Sequence, residues 1–318
     1  MDYLLLVGGL ILLAVGGDVL VRGASGAASR LGVSPLLIGL VLVGFGTSMP
    51  ELTTSVQAAL AGSPGIAAGN VVGSNIANIL LILGVAALIR SIPVSASALR
   101  RDGGFLAASQ ILAAVLILMT PVGRMSGCIL VAAVLVYVGL SYWLDRRRTS
   151  AAAKLHAAEA ESVPDVPGGL VAALLLFGLG LAGIIFGARL LVDGAVSIAR
   201  DLGVSETVIG LSIVAVGTSL PELAASVSAA LKRQGDIALG NIIGSNIFNV
   251  TAILGVTALV RPVAVPDMIL QVDLWVMLGA AAALLAFAWT GRRIQRWEGG
   301  VLLAFYLAYT AWLATSAL

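Results

Sequence analysis

Long apolar stretches, separated by short polar or charged segments, follow one another along the whole chain. Leu4 to Val15, Ile129 to Leu140 and Ala280 to Trp289 are three of them. With its flanks, each is long enough to cross about 30 Å of hydrocarbon as a helix of about 20 residues. The pattern predicts ten spans, at residues 3–21, 35–60, 66–89, 103–120, 125–144, 168–188, 206–231, 237–260, 268–290 and 298–316. A transmembrane barrel would need alternating segments of about ten residues, so these continuous apolar runs exclude it.

The composition places these spans in a lipid bilayer. Of the 318 residues, 59% are hydrophobic and 11% are charged, and the mean hydropathy is +1.07. A soluble domain carries roughly a quarter charged residues. We therefore expect an all-α membrane protein. The first apolar stretch lacks the basic start of a secretory signal and has a counterpart later in the chain, so we expect it to remain as a mature helix.

The basic residues separate the two sides of the membrane. Of the 18 Lys and Arg residues, the ten spans leave only Arg124, Arg189, Arg200 and Arg261 on one side and the other 14 on the opposite side. Cytoplasmic loops carry the excess of positive charge, so the side with 14 is predicted to be cytoplasmic. We call it the basic face. Both termini are then extracytoplasmic, and we expect a multi-pass protein of a prokaryotic plasma (inner) membrane.

The chain repeats itself at an offset of 171 residues, without a gap from Gly23/Gly194 to Arg90/Arg261. GFGTSMPELTTSVQAAL at 44–60 matches AVGTSLPELAASVSAAL at 215–231, and GIAAGNVVGSNIANILLILG at 65–84 matches DIALGNIIGSNIFNVTAILG at 236–255. We expect two halves, residues 1–144 and 168–318, joined by a cytoplasmic linker at 145–167. Each half has five crossings, an odd number, so the second half is inverted. Inverted repeats are typical of secondary transporters, whose shared site lies near the midplane.

Of the 16 Asp and Glu residues, only Glu51 and Glu222 are predicted to lie well inside the hydrocarbon, at equivalent places in the two halves. A carboxylate at mid-membrane costs at least about 2.5–3.5 kcal/mol on insertion scales, so each one requires a partner. A bound cation is the partner we favour. The alternative is two protonated, hydrogen-bonded glutamates that only hold helices together.

A proline stands directly before each glutamate. Pro50 and Pro221 lack an N–H and clash with the carbonyl four residues earlier, so the helix is expected to loosen near Gly46 and Gly217 and to release backbone carbonyls. Such irregular backbone is tolerated at this depth when it is buried in protein or lines a polar cavity. Helical spacing places hydroxyls on the same face as each carboxylate. These hydroxyls are Thr47 and Ser48 in the first half, and Thr218 and Ser219 in the second.

The third and eighth spans add further oxygen ligands and close helix contacts. Ser74 and Asn78 are four residues apart on one face, as are Ser245 and Asn249. A second asparagine set, for which structural and ligand roles both remain open, comprises Asn70, Asn75, Asn241 and Asn246. Small residues four apart permit close helix packing; here they are Gly69, Gly73, Gly240 and Gly244.

All these candidate ligands are hard oxygens, which favour Na⁺ or Ca²⁺ over Zn²⁺ or Cu⁺. Two carboxylates balance the charge of one divalent ion. The hydroxyls and carbonyls around them would instead complete several monovalent sites, so Na⁺ and Ca²⁺ are expected to compete for overlapping ligands. Such competition is what an antiporter requires.

The motifs GTSxPE and GNxxGSNxxN, present in both halves, closely resemble the alpha repeats of the sodium/calcium exchanger family of calcium/cation antiporters. The resemblance covers nearly the whole chain and implies a prokaryotic-type member without regulatory domains. It implies Ca²⁺ binding by Glu51 and Glu222, with Asn78 and Asn249 completing the centre. The Na⁺ ligands that it implies are Thr47, Ser48, Ser74, Thr218, Ser219, Ser245 and carbonyls near Gly44 and Ala215. Potassium-dependent members have an acidic residue where this chain has asparagine, which argues against K⁺ co-transport.

The resemblance also implies that the first and sixth helices slide across the core to switch access. Their faces are rich in Gly and Ala. Gly178, Gly180 and Gly183 spell GxGxxG, but no strand precedes them, so helix packing is expected rather than nucleotide binding. Asp18 with Arg22, and Arg189 with Asp193, lie four residues apart and predict ion pairs.

The residues leave other functions open. A Ca²⁺/H⁺ antiporter would use the same glutamates as proton carriers, and a gated cation channel would conduct without obligatory exchange. An enzyme is the least supported class, because no nucleophile, metal-protease or phosphate-loop motif is present. We expect no cofactor, no nucleic acid and no obligatory protein partner, so the expected partners are Na⁺, Ca²⁺ and the bilayer.

Overall fold

The computed structural model describes residues 2–119, 121–160, 169–201 and 215–316, which are almost entirely helical. The helices there are α1 (Asp2–Leu31), α2 (Pro35–Thr47), α3 (Met49–Leu60), α4 (Pro64–Ile89), α5 (Ala96–Leu118), α6 (Arg124–Ala160), α7 (Gly169–Asp201), α8 (Ala215–Thr218), α9 (Leu220–Leu231), α10 (Gly235–Val260), α11 (Ile269–Gly291) and α12 (Arg296–Ser316). Two short strands, β1 (Ile92–Pro93) and β2 (Arg293–Ile294), pair antiparallel.

The helices confirm the predicted all-α architecture of ten spans in two inverted repeats. In the described residues, seven helices are long and apolar enough to cross a bilayer, and α2 with α3, bent by 41°, forms an eighth span. Helices α8 and α9 occupy the seventh predicted span, of which 206–214 lie outside the described residues, and α12 occupies the tenth.

Several predicted boundaries are wrong by two turns or more. Helix α1 ends at Leu31 rather than at residue 21, and α7 ends at Asp201 rather than at residue 188. Helix α5 begins at Ala96 rather than at residue 103, because the hydroxyl of Ser95 accepts a hydrogen bond of 3.1 Å from the N–H of Ala98 and caps the helix. Arg101 and Asp102 therefore lie inside the helix. Asp102 is fully buried and forms an ion pair with Arg101 at 2.8 Å, so a polar stretch typical of a loop is neutralised within the fold.

Contacts between distant loops agree with the predicted sorting of loops to two sides. Strand β1 follows α4 and β2 precedes α12, and both belong to the basic face. On the opposite side, Val122 and Val263 form an antiparallel bridge, and Arg261 donates to the carbonyl of Leu60. Which side is cytoplasmic stays a prediction, because these contacts join loops of one side without identifying it.

Helices α1 and α7, the first and sixth spans, pack against each other in antiparallel orientation along a glycine-lined interface. Cβ atoms in proteins essentially never approach another heavy atom within 3.0 Å. A Cβ added to Gly9 would lie 2.7 Å from the carbonyl oxygen of Gly187, and one added to Gly180 would be closer still to the backbone nitrogen of Leu20. The expected packing role of the GxGxxG segment thus holds for Gly180. At Gly178 an added Cβ would meet no described atom within 4 Å.

An ion-pair cluster joins α1 to the turn after α9. Asp18 forms the predicted pair with Arg22 at 2.7 Å and also contacts Lys232. The second predicted pair, between Arg189 and Asp193, does not form in the described residues. Two exposed side chains on one helix gain little from pairing, because water screens their charges.

Helices α4 and α10 form the centre of the protein. In the most apolar 18-residue stretch of each helix, 72% of the residues are buried in α4 and 83% in α10, whereas 22% are buried in α7. Gly240 permits α10 to approach α2 closely, since a Cβ there would lie 2.6 Å from the carbonyl oxygen of Leu36. Gly244 has the same role beside Leu40. Within the described residues, an added Cβ would meet only Ile269, at 3.9 Å, at Gly69 and nothing within 4 Å at Gly73, so close packing at these two glycines stays a prediction.

Candidate functional site

The site begins at two matching breaks in helices. Ser48 separates α2 from α3 with φ −84° and ψ 6°, and Ser219 separates α8 from α9 with φ −91° and ψ 3°. Pro50 and Pro221 stand two residues after these breaks. A proline cannot donate to the carbonyl four residues earlier, so each helix is interrupted, within two residues of the predicted positions near Gly46 and Gly217.

The central helices are also irregular beside the site. Residues Asn78–Leu83 of α4 and Asn249–Ile253 of α10 form wider π-helical turns, and Gly39–Val43 of α2 forms another. Each of the two asparagines therefore stands where its helix changes pitch. Such π-turns are frequent at functional sites, because they shift side chains and carbonyls out of the regular ladder. Sequence reasoning did not predict them.

The two glutamates are buried, each with 1% of its surface exposed. Neither carboxylate oxygen of Glu51 has a hydrogen-bond partner in the described structure, and Oε2 of Glu222 has none either. The two glutamates belong to one site, since Ser48, three residues before Glu51, donates to the carboxylate of Glu222. Buried charges without partners are strongly unfavourable, so the pair needs either a bound cation or protonation of the carboxyl groups.

Hydrogen bonds at the site cross from one half of the chain to the other. The hydroxyl of Ser48 donates to Oε1 of Glu222 at 2.9 Å, and that of Thr47 donates to Oδ1 of Asn241 at 3.1 Å. The hydroxyl of Ser245 donates to the carbonyl of Gly44 at 3.2 Å. The candidate ligands of the two repeats therefore meet in one place.

Asn70 and Asn241 act as equivalent clamps on the broken helices. The amide of Asn70 donates to the backbone carbonyl of Glu51 at 3.1 Å and to the hydroxyl of Ser55 at 2.9 Å. The amide of Asn241 donates to the carbonyl of Glu222 at 3.2 Å and to Ser226 at 2.9 Å. These bonds fit a structural role for Asn70 and Asn241. The sequence alone had left both a structural and a ligand role open.

The other two asparagines of this set bond within their own helices. Asn75 donates to the carbonyl of Val71 at 3.1 Å, and Asn246 to that of Ile242 at 2.8 Å. The side-chain oxygens of both are buried and have no partner in the described structure. Each thus combines a fixed amide with an unused oxygen.

Most of the remaining candidate ligands are buried as well. Asn78 and Asn249 are each 1% exposed, and neither side-chain atom of Asn249 has a described partner. Ser74, Ser219 and Ser245 are buried, and Thr218 is half-buried. Ala215 is the first residue of α8 and borders residues outside the described ranges.

The site offers oxygen atoms rather than a soft metal cluster. Within the described ranges, no group of three or more His, Cys, Asp and Glu residues could hold a metal ion. Carboxylate, amide, hydroxyl and carbonyl oxygens are the ligands that Na⁺ and Ca²⁺ take. A cation placed here would neutralise the carboxylates and supply the partners that the buried oxygens lack.

Sequence reasoning missed a second set of buried charges at the end of α2. Asp145 of α6 accepts hydrogen bonds from the backbone N–H and the hydroxyl of Ser34, both at 2.8 Å. The Nη1 atom of Arg101 lies 3.7 Å from Oδ1 of Asp145, and the same guanidinium group pairs with Asp102. The adjacent opposite charges of Arg101 and Asp102 were the one feature of the sequence that could have indicated this set. Because Asp102 and Asp145 have protein partners, we interpret them as anchors between helices. The buried carboxylate oxygens without a described partner are those of Glu51 and Glu222.

Comparison with known proteins gives consistent matches over nearly the whole chain. The family model for "Sodium/calcium exchanger protein" matches residues 1–143 and 172–315. The putative antiporter CaxA of Alkalimonas amylolytica is 38% identical over 311 residues, 97% of each chain. The sodium/calcium exchanger MaX1 of Methanosarcina acetivorans is 38% identical over 343 residues, 97% of each chain. A solved structure of the sodium-calcium exchanger NCX_Mj has a TM-score of 0.84 and 34% identity, with 98% of this chain and 97% of that chain covered.

Proposed function

This chain belongs to the sodium/calcium exchanger family, a family of cation antiporters, and from that premise we propose that it exchanges Na⁺ for Ca²⁺ across the membrane. The observation that carries the proposal is the pair formed by Glu51 and Glu222, both buried at the site that Ser48 bridges, with three carboxylate oxygens that have no described partner. One divalent ion matches the charge of this pair. The named relatives MaX1 and NCX_Mj are sodium/calcium exchangers, which supports the same pair of ions here.

The proposed Ca²⁺ ligands are the carboxylates of Glu51 and Glu222, with the side chains of Asn78 and Asn249 completing the centre. The proposed Na⁺ ligands are Thr47, Ser48, Ser74, Thr218, Ser219, Ser245 and the carbonyls of Gly44 and Ala215. Several of these groups now bond to each other across the repeats, as Ser48 does to Glu222. Such a hydroxyl can offer its lone pairs to Na⁺ while its hydrogen stays on the carboxylate. Because that carboxylate is itself a proposed Ca²⁺ ligand, Na⁺ and Ca²⁺ would compete for one site.

Alternating access would result from movement of α1 and α7 against the centre. The glycine interface holds these two helices together, while their outer faces present exposed apolar side chains such as Leu10 and Leu179 to lipid. The site itself lies on broken helices clamped by Asn70 and Asn241, which keep the ligands in place. We propose that the helix pair slides as a unit and opens the fixed site to one side at a time.

A flux assay tests the proposed exchange. The full-length protein is reconstituted into vesicles, and uptake of ⁴⁵Ca²⁺ is measured with outward gradients of Na⁺, K⁺ and H⁺ imposed separately. The proposal expects uptake with the Na⁺ gradient and none with the others. Uptake driven by the proton gradient alone would identify a Ca²⁺/H⁺ antiporter, and unitary currents without obligatory exchange would identify a channel. Either outcome contradicts the proposal.

A further inference from the structure

A cleft on the basic face lies between loops from the two halves of the chain. It has a volume of about 310 Å³ and is enclosed by the segment after α4 and the turn between α9 and α10. The residues that line it are Arg90, Ser91, Ile92, Pro93, Ala230, Arg233 and Gly235. Its volume is at the low end of the roughly 300–1,000 Å³ typical of ligand pockets, so it suits a small ligand or a single headgroup.

The charge of the cleft comes from two arginines. Arg90 and Arg233 are exposed, and beyond the hydrogen bonds of their backbone N–H groups to Ala86 and Ala230, neither guanidinium group bonds to or pairs with another described residue. No carboxylate is among the described residues that line the cleft. By contrast Lys232, in the same turn, is already paired with Asp18. Two guanidinium groups without counter-ions, with the Ser91 hydroxyl beside them, offer the planar donor pattern that binds a phosphate group.

The internal repeat contrasts Arg90 with a counterpart that has a structural role. The counterpart of Arg90 is Arg261, which donates to the carbonyls of Ala59 and Leu60 at 3.2 and 3.1 Å and so caps α3. Arg90 makes no such described bond to Ala230 or Leu231.

The counterpart of Arg233 is Gly62. Gly62 has φ +82°, and Arg233 has φ +64° in the same left-handed conformation. Glycine adopts this conformation without strain, whereas a residue with a Cβ is disfavoured there. The second half thus keeps an arginine at a strained position beside a second uncommitted arginine. An observed backbone outlier of this kind points to a role for the side chain.

From these observations we propose that the cleft is a binding site for a phosphate-bearing anion, held between the guanidinium groups of Arg90 and Arg233. The phosphate belongs either to an anionic phospholipid headgroup or to a soluble phosphate compound. Because Arg90 follows α4 and Arg233 follows α9, the bound anion joins the two halves of the chain at the basic face.

Binding measurements on the purified full-length protein in neutral detergent test this site. Inorganic phosphate is titrated calorimetrically, and phosphatidylglycerol is compared with phosphatidylcholine by native mass spectrometry. The variants are R90Q and R233G. The second variant introduces glycine, which is the residue at the equivalent position 62 of the first half. Each removes one charged donor and is expected to weaken binding by about tenfold. The control is R100Q, which removes an exposed arginine of the same face outside the cleft.

Each outcome has a defined meaning. Loss of phosphatidylglycerol binding in R233G and R90Q but not in R100Q supports a lipid headgroup, and the same pattern for inorganic phosphate alone supports a soluble anion. If neither probe binds, if the cleft variants bind like the wild type, or if R100Q loses as much, the site does not exist. Thermal unfolding checks that R233G is folded, and the assay involves no transport, so its result is independent of the proposed exchange.

Discussion

The hydroxyl of Ser48 donates a hydrogen bond of 2.9 Å to Oε1 of Glu222, so a residue of the first repeat holds the carboxylate of the second. The equivalent bond, from Ser219 to Glu51, is not formed, since both oxygens of Glu51 lack a partner in the described structure. The two halves are therefore similar in sequence but not equivalent in this state. Glu222 is partly held by protein, whereas the carboxyl group of Glu51 has no described protein partner.

Replacing Ser48 by alanine tests whether this hydroxyl contributes to ion binding. The substitution removes the described partner of Glu222 Oε1 and a proposed Na⁺ ligand. We expect the affinity for Na⁺ to fall by about tenfold, as for the loss of a hydrogen bond to a charged group. The Na⁺ dependence of ⁴⁵Ca²⁺ uptake measures it.

Thr53→Ala is the matched control, because Thr53 is an exposed residue of α3 whose hydroxyl donates to the carbonyl of Met49 and to no other group that the structure describes. It should transport like the wild type. Equal Na⁺ dependence in S48A and the wild type would remove Ser48 from the proposed ligand set.

Replacing each glutamate by glutamine separates a cation site from a purely structural pair. Without ions, E51Q and E222Q should unfold at higher temperature than the wild type, since each removes a buried charge. Ca²⁺ at 100 times its dissociation constant should stabilise the wild type by about 2.7 kcal/mol. The variants should show no such Ca²⁺ effect and no transport. Thermal unfolding in detergent, with and without Ca²⁺, measures both.

Glu298→Gln controls for burial. Glu298 is 2% exposed and lies away from the site, where its carboxylate accepts a hydrogen bond of 2.7 Å from the N–H of Gln295. E298Q is expected to lose stability but to keep the Ca²⁺ effect. Intact transport in E51Q and E222Q would instead favour the structural alternative.

The sequence was sufficient for the parts of the fold and site that rest on polarity and repetition. Apolar runs of about 20 residues predict helices in a bilayer, and Glu51 and Glu222 stand out because a carboxylate inside such a run is costly. The repeat then places them together, since equivalent residues of inverted halves meet near the midplane.

Other features depend on three-dimensional packing that spacing does not contain. Asn70 could equally bind an ion or a carbonyl, and only the approach of α4 to α3 shows that it bonds to the carbonyl of Glu51. Asp145 and Ser34 are 111 residues apart, and their pairing depends on how α6 lies beside α2. Two adjacent charged residues, Arg101 and Asp102, are typical of a loop in sequence, and only the structure shows that they neutralise each other inside a helix.

The glycine interface between α1 and α7 predicts opposite effects for two neighbouring residues. Gly180→Ala places a methyl group against the backbone of Leu20 and should destabilise the protein by about 1–3 kcal/mol, as overpacking does. Gly178→Ala, two residues away, meets no described atom within 4 Å and should stabilise α7 by up to about 1 kcal/mol through helix propensity. Thermal unfolding of both variants measures this. Similar effects of the two would contradict a tight interface at Gly180.

Arg261 is expected to stabilise the end of α3. Arg261→Gln removes the charged donor to the carbonyls of Ala59 and Leu60 and should cost about 1 kcal/mol, since the site is partly exposed to solvent. Arg124→Gln, which removes an exposed arginine from the same side, should change stability by less than about 0.5 kcal/mol. Denaturation of the purified variants distinguishes them. A neutral R261Q would show that the cap contributes nothing.

Equilibrium binding of ⁴⁵Ca²⁺ to the purified full-length protein, measured over a range of Na⁺ and K⁺ concentrations, tests most directly whether Glu51 and Glu222 hold an exchangeable ion. The account predicts one Ca²⁺ per chain, displaced by Na⁺ but not by K⁺, and no binding when both glutamates are replaced by glutamine. Ca²⁺ binding that persists in the double variant, or that Na⁺ does not displace, would contradict it.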